Sequence, residues 1–222
     1  GDAEGEKGSG SYEYTKKQIR FIDFAGPRNK PFSELLALEH IVEGDVSGKP
    51  KKIIDIEPGT IIEKGDIGFG LDEGSTINIG KNSIVDGNVG ENLNGGIINI
   101  EEGVKIIGTV GENVMSGTIN IKDGVKIEDE VGKSMAGGTI NIKSGASVGR
   151  VGYELNGGTI NIYSNSQING RIGTKMRSGK IYVEKDVKIS FFHFFNNFFP
   201  SHAIGIGISG GKIYVEKGFD ES

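Results

Sequence analysis

The sequence predicts an all-β protein, a parallel β-helix (a solenoid) of about seven coils with short capping helices. Three observations predict this fold: a tetrapeptide recurs at steps of about 21 residues, apolar and polar residues alternate within it, and glycine is abundant. The chain has 38 glycines in 222 residues, well above the typical share of about 7%. Because these glycines stand at regular positions among isoleucine and valine, they indicate an ordered fold with many tight bends.

The recurring tetrapeptide first appears as Thr76-Ile77-Asn78-Ile79. Its third residue falls at positions 78, 99, 120, 141, 161, 182 and 214, so the steps are 21, 21, 21, 20, 21 and 32 residues. Each later copy follows a Val-Gly or Ile-Gly pair and a bend of small residues. Repeats built from two helices need about 33 residues or more, so this period excludes them.

The isoleucines of each copy flank an asparagine, which is the two-residue alternation of a β-strand. Short strands punctuated by glycine suit one coil of a solenoid, in which each coil bonds to the next at about 4.8 Å. Glycine is expected at the corners, because the chain bends there without a clash of a Cβ atom.

Equivalent residues of successive coils lie above one another, so the asparagines are predicted to form one column. Stacked amides can hydrogen-bond along such a column, and Tyr182 and Tyr214 are expected to extend it by ring stacking. We interpret the column as structural; the alternative is a row of amides that binds a ligand. The predicted ladder consists of Asn78, Asn99, Asn120, Asn141 and Asn161.

The pattern G-x-x-x-x-G-G-x-I-x-V resembles the repeat of the GXGXG domain family. The matching stretches are residues 132–142, 152–162 and 173–183, and the resemblance covers about residues 50 to 215. The chain is similar in this respect to the C-terminal domain of the glutamate synthase large subunit and to the GXGXG-type subunit of formylmethanofuran dehydrogenase. The resemblance implies a right-handed parallel β-helix that packs against catalytic domains or subunits and holds no catalytic residue.

The first part of the chain is predicted to be separate from the repeats. Residues 1–10 are acidic and glycine-rich, which favours disorder or a cloning remnant. Residues 11–50 are predicted to form a cap, with a strand over residues 18–24 and a short serine-capped helix over residues 34–42. We expect this cap to cover the N-terminal end of the β-helix of residues 51–222, where unpaired backbone would otherwise be exposed; the alternative is docking onto a partner.

A phenylalanine-rich insertion at residues 190–201 accounts for the 32-residue step. Six of the chain's 11 phenylalanines lie within nine residues, and they fall on one face of a helix of about two turns. Burying a phenylalanine is worth roughly 1.5–3 kcal/mol, so we expect this face to be covered by the last coils or by a protein interface. A membrane is disfavoured, because the polar face has no Lys or Arg. The candidate interface consists of Phe191, Phe192, Phe194, Phe195, Phe198 and Phe199.

No residue is predicted to be catalytic, to bind a cofactor or to ligate a metal. Residues 205–210 match the dinucleotide motif G-x-G-x-x-G, but that motif needs a strand before it and a helix after it, whereas another strand repeat follows here. His40, His193 and His202 are the only histidines. A metal site needs convergent ligands at suitable spacing; His193 and His202 flank the same insertion and are the one pair that could meet, so metal binding is the disfavoured alternative. Cysteine is absent, which excludes disulfides and thiolate chemistry.

A net charge of −5 gives no reason to expect nucleic acid, which demands clustered Lys and Arg. No apolar stretch approaches the roughly 18 residues of a membrane span, so we expect a cytoplasmic protein. The resemblance implies a non-catalytic structural or assembly subunit, or domain, of an oxidoreductase complex, with protein subunits as partners. The alternative is a free-standing β-helix that self-associates, for example as a homodimer, through its phenylalanine-rich helix. A hydrolase or transferase is disfavoured, because a nucleophile and its base are missing.

Overall fold

The computed structural model describes residues 18–19, 41–42, 51–189 and 203–216. These described residues form 17 β-strands and no α-helix. The strands are β1 (Gln18–Ile19), β2 (Ile41–Val42), β3 (Lys51–Ile56), β4 (Ile61–Ile62), β5 (Thr76–Ile79), β6 (Ile84–Val85), β7 (Asn94–Ile100), β8 (Lys105–Ile106), β9 (Ser116–Ile121), β10 (Lys126–Ile127), β11 (Thr139–Ile142), β12 (Ser147–Val148), β13 (Asn156–Ile162), β14 (Gln167–Ile168), β15 (Ser178–Val183), β16 (Lys188–Ile189) and β17 (Lys212–Val215).

The strands stack into two sheets, and single bridges hold the third side of each coil. One sheet has eight strands in the order β1-β4-β6-β8-β10-β12-β14-β16, and the other has nine in the order β17-β15-β13-β11-β9-β7-β5-β3-β2. On the third side, isolated parallel bridges link one residue per coil, from Ile67 to Ile204. Each coil thus contributes a longer strand, a two-residue strand and one bridging residue. The predicted parallel β-helix of about seven coils is confirmed.

The recurring tetrapeptide sets the register of the nine-stranded sheet. Asn99 pairs with Asn120, and Asn120 pairs with Asn141, with the flanking residues aligned in the same way. The structure adds one rung before the first tetrapeptide, because residues 53–56 of β3 pair in parallel with β5. Asp55 takes the place of asparagine in that added rung.

The interior of the solenoid is filled by aliphatic side chains from the same positions of every coil. In β9 both isoleucines are fully buried, whereas Thr118 and Asn120 point outward and are half-buried. This follows from the two-residue period of a strand. In the preceding coil, the inward residues after β7 are Val104, Ile106, Val110 and Val114. At about 25 cal/mol for each Å² of apolar surface removed from water, this continuous core is the main source of stability.

The corners require left-handed backbone at equivalent positions of successive coils. Gly111, next to a bridging valine, has a φ of +72°, and Asn113 has a φ of +54°. Asparagine tolerates this region better than most residues. A Cβ atom on Gly111 would stand 2.5 Å from Cδ1 of Ile140, so this glycine also makes room for the core.

Short strands from the first part of the chain form the N-terminal edges of both sheets. β1 pairs in parallel with β4, which confirms the beginning of the strand predicted over residues 18–24. β2 pairs antiparallel with Lys51 and Lys52 of β3, so the helix predicted over residues 34–42 is wrong at its last two residues. Ile41 and Val42 are β-branched and favour extended backbone, and their pairing satisfies backbone groups at the edge of β3. The rest of that helix and the helix predicted at 190–201 lie outside the described residues.

Candidate functional site

The outward face of the nine-stranded sheet carries the asparagine ladder. From Asn99 to Asn161, the Nδ2 atom of each asparagine donates to the Oδ1 atom of the asparagine in the preceding coil, at 2.8–2.9 Å. Asn78 donates in the same way to Oδ1 of Asp55 at 2.8 Å. The structure therefore places the five predicted asparagines in one column, and every bond of the column runs in the same direction.

Asp55 ends the ladder at its N-terminal side. Each amide turns its NH2 group toward that end, so the positive ends of the amide dipoles point at the Asp55 carboxylate. An ionised carboxylate accepts hydrogen bonds but donates none, which suits the last position of the ladder and no interior one. Each interior asparagine donates one hydrogen bond to the residue before it in the column and accepts one from the asparagine after it. This supports a structural role for the column.

Alanine substitutions along the ladder are expected to lower stability in proportion to the hydrogen bonds they remove. Asn120→Ala removes the bond to Asn99 and the bond from Asn141, whereas Asn161→Ala removes only the bond to Asn141. At about 1 kcal/mol net for each bond, we expect the free energy of unfolding to fall by about 2 and about 1 kcal/mol. Urea unfolding followed by circular dichroism measures both values; equal losses would count against a stabilising ladder.

The ladder changes character in its last two rungs, where tyrosine replaces asparagine. The rings of Tyr182 and Tyr214 stack with centroids 4.8 Å apart and planes inclined by 9°, which confirms the predicted stacking. The same seven residues, Gly-Lys-Ile-Tyr-Val-Glu-Lys, occur at 179–185 and at 211–217. Because β15 and β17 pair in register, each tyrosine stands between an outward lysine and an outward glutamate of its own rung.

Two shallow grooves flank the tyrosine stack. One groove, of about 480 Å³, is lined by both stacked rings, by Tyr163, and by Glu184 and Glu216. The other, of about 530 Å³, is lined by Lys180 and Lys212 together with glycine backbone. The stack therefore separates an acidic side from a basic side of the same sheet face.

The two glutamates of the acidic side also hold the turns of the preceding coils. Oε2 of Glu184 accepts hydrogen bonds from the backbone N–H and the hydroxyl of Ser164, at 2.9 and 3.1 Å. Oε2 of Glu216 accepts from the backbone N–H of Lys185 at 3.0 Å. Both side chains are thus positioned by hydrogen bonds from the preceding coil.

Elsewhere on the solenoid, charged side chains pair with opposite charges one coil away. Lys122 donates to Glu101 at 2.8 Å, and Arg150 donates to Oε2 of Glu130 from both Nε and Nη2. The Glu130 side chain is only 9% exposed, whereas the Arg150 side chain is 40% exposed, so only the carboxylate of this second pair is shielded from solvent. The Arg150 guanidinium also lies 3.8 Å from the ring centroid of Tyr153. The two ion pairs link neighbouring coils, and the Arg150–Tyr153 contact lies within one coil.

The segment that resembles a dinucleotide motif forms the corner that precedes β17. Gly205 and Gly207 have φ values of +70° and +68°, and the next element is β17, which begins at Lys212. The helix whose N-terminus would hold a pyrophosphate is therefore replaced by a strand. Among the described residues, no three His, Cys, Asp or Glu side chains are placed to hold a metal ion.

The predicted interface lies outside the described residues and stays a prediction. It comprises Phe191, Phe192, Phe194, Phe195, Phe198 and Phe199. The three histidines at positions 40, 193 and 202 also lie outside the described residues.

Two features of the outward face were not predicted from the sequence. The lysines and glutamates beside the tyrosine stack had a signal, namely the identical heptapeptides at 179–185 and 211–217. The sequence signal for Asp55 was weaker, because its rung shares only the isoleucines with the later copies. Its role emerges only when the register of β3 against β5 is known.

No protein-family model, curated protein or solved structure matches the chain. In the part of the chain that the structure describes, no helix has the length and apolar character needed to cross a membrane.

Proposed function

We propose that the chain is a non-catalytic assembly subunit, or domain, of an oxidoreductase complex. The observation that carries the proposal is the regular repeat, because a solenoid with its polar groups bonded from coil to coil offers a stiff, extended scaffold. The resemblance of residues 132–142, 152–162 and 173–183 to the GXGXG repeat supports the choice of complex. On this proposal the redox chemistry belongs to the partner subunits, and the solenoid positions them in the cytoplasm.

The contacts of the described side chains favour a scaffold over a reaction centre. The asparagine amides bond to one another, and charged residues such as Glu130 and Arg150 pair across coils. General acid–base catalysis requires a titratable group poised within hydrogen-bond reach of a reacting atom. Side chains that are committed to neighbouring coils are poorly suited to that task.

Affinity purification of the full chain from its native cells tests this proposal. We expect subunits with flavin or iron–sulfur absorbance to co-purify in fixed proportion to the chain at low ionic strength. Recovery of the chain without any redox-active partner, under conditions that preserve its β-sheet circular dichroism, would contradict the proposal.

The alternative function is a free-standing β-helix that self-associates through its phenylalanine-rich segment. The composition of that segment favours it, because six phenylalanines within nine residues are costly to leave in water. Replacing Phe194 and Phe198 together with serine is then expected to lower the mass measured by light scattering and to leave the β-sheet signal unchanged. A monomeric wild type, or a double variant that unfolds, would exclude this segment as the self-association surface.

A further inference from the structure

In the part of the chain that the structure describes, the last strand of the nine-stranded sheet presents an unpaired edge. Among the described residues, β17 pairs only with β15. The Glu216 N–H donates to the Val183 carbonyl of the preceding rung at 2.9 Å. Because backbone groups alternate sides along a strand, Ile213 and Val215 turn their N–H and C=O groups to the outer edge. This edge therefore offers two donors and two acceptors for another strand.

The opposite end of the same sheet shows that it accepts an antiparallel neighbour. There β2 pairs antiparallel with β3, although every other pair in the sheet is parallel. An antiparallel strand stops the propagation of parallel coils, because it reverses the chain direction. The edge of β17 has no such strand among the described residues.

The charges of β17 and of Glu216, the residue after it, are complementary to those of a second copy of the same segment that runs antiparallel to it. Along Lys212-Ile213-Tyr214-Val215-Glu216, a cation and an anion stand at equal distances on either side of Tyr214. In the parallel pair with β15, Lys180 lies beside Lys212, and like charges directly opposite are destabilising. An antiparallel pairing centred on Tyr214 instead sets Lys212 opposite Glu216 of a second copy, twice for each dimer.

The hydrogen-bond geometry fits the same register. Opposite residues in an antiparallel pair alternate between hydrogen-bonded and non-hydrogen-bonded pairs. With Tyr214 opposite its own copy as a non-hydrogen-bonded pair, Ile213 and the partner's Val215 exchange both backbone bonds, and the symmetric pair does the same. All four edge groups of each copy are then satisfied.

Apolar side chains at this edge are exposed in the single chain, as expected for a surface that a second copy covers. The residues Tyr214 and Val215 are 42% and 43% exposed, although the equivalent Val183 of the preceding rung is 2% exposed. Pairing with a second copy covers Val215 and extends the ring stack of Tyr182 and Tyr214 by two further tyrosines.

We propose that two copies of the chain join tail to tail through antiparallel pairing of β17 about a two-fold axis at Tyr214. The contact is isologous, as closed dimers require, and it makes one sheet continuous across both solenoids. A contact of one strand from each copy is small for a protein interface, so the dimer dissociates on dilution.

Sedimentation velocity of the full chain over a range of concentrations tests the proposal. We expect the wild type to shift from monomer to dimer as concentration rises, and Val215→Pro to remain monomeric. Proline removes the N–H that faces the outer edge and leaves the bonds to β15 in place, so circular dichroism and the melting temperature should be unchanged. A dimer that persists in folded Val215→Pro, or a wild type that is monomeric throughout, overturns the proposal.

Charge reversal tests the register independently. Lys212→Glu sets two acidic residues opposite each other at both ends of the contact and is expected to weaken dimerisation by about tenfold or more. Combining Lys212→Glu with Glu216→Lys restores opposite pairs and should restore the dimer. Lys180→Glu is the matched control, because it makes the same change in the identical heptapeptide one rung away from the edge. Equal weakening by Lys212→Glu and Lys180→Glu, or no recovery in the combined variant, contradicts the antiparallel register.

Discussion

Ile98→Ala is expected to lower the free energy of unfolding by about 2–5 kcal/mol. Ile98 is fully buried in β7, and its Cδ1 atom fills the space beside Gly68, only 2.7 Å from where a Cβ on that glycine would stand. Hydrogen bonds fix the spacing of the rungs, so the neighbouring coils cannot close around the cavity. We therefore expect a loss in the upper half of that range, measured by urea unfolding.

The adjacent Ile97 provides a matched control in the same strand. It has the same side chain, but it points outward and is 42% exposed. Ile97→Ala is expected to change stability by only about 0.5 kcal/mol, as surface substitutions usually do. Similar losses for Ile97→Ala and Ile98→Ala would be incompatible with the inward and outward alternation described for β7.

Gly117→Ala is expected to cost about 3 kcal/mol, because it combines backbone strain with a collision. Gly117 has a φ of +100°, a conformation that residues with a side chain rarely adopt. A Cβ atom there would stand 2.4 Å from the carbonyl oxygen of Gly96 in the preceding coil. That oxygen belongs to the backbone, so relief requires the two coils to move apart. A lowered melting temperature with retained β-sheet signal is the expected observation.

Gly124→Ala is a control that introduces the backbone strain of a positive φ without a collision of the added Cβ atom. Gly124 also has a positive φ, +67°, but the nearest atom to an added Cβ is the Gly103 nitrogen at an ordinary 3.5 Å. Only the left-handed conformation is then penalised, at about 1 kcal/mol. If Gly124→Ala proves as damaging as Gly117→Ala, close approach of the coils is not what requires glycine at position 117.

The fold could be predicted because each coil repeats the same local pattern. Two isoleucines around Asn99, followed 21 residues later by two isoleucines around Asn120, fix both the strand period and the stacking register. The first rung could not be predicted in the same way. Asp55 replaces the asparagine, and the step from Asp55 to Asn78 is 23 residues, so the rung departs from the pattern in both identity and spacing.

The direction of the hydrogen bonds in the asparagine ladder could not be predicted from the sequence pattern either. An amide both donates and accepts, so a column of asparagines can run toward either end of the solenoid. The direction is decided by the residue at one end, and the acceptor-only carboxylate of Asp55 selects the arrangement in which Asn78 donates. The strand β2 was missed for a different reason, because Ile41 and Val42 follow a helix-like pattern but find an unpaired edge on β3.

The third side of the solenoid joins successive coils through a single bridge each. The number of residues between the two-residue strand and this bridge varies: two separate Val148 from Val151, and fourteen separate Ile189 from Ile204. The bridge of Val89 with Val110 is itself held by two backbone hydrogen bonds, from the Val89 N–H to the Thr109 carbonyl and from the Gly111 N–H to the Val89 carbonyl. The variable segment lies before these bonds and outside both sheets, so residues added there disturb neither sheet. This corner is where new loops can be acquired in evolution or grafted by design, one coil at a time, while every other coil keeps its register.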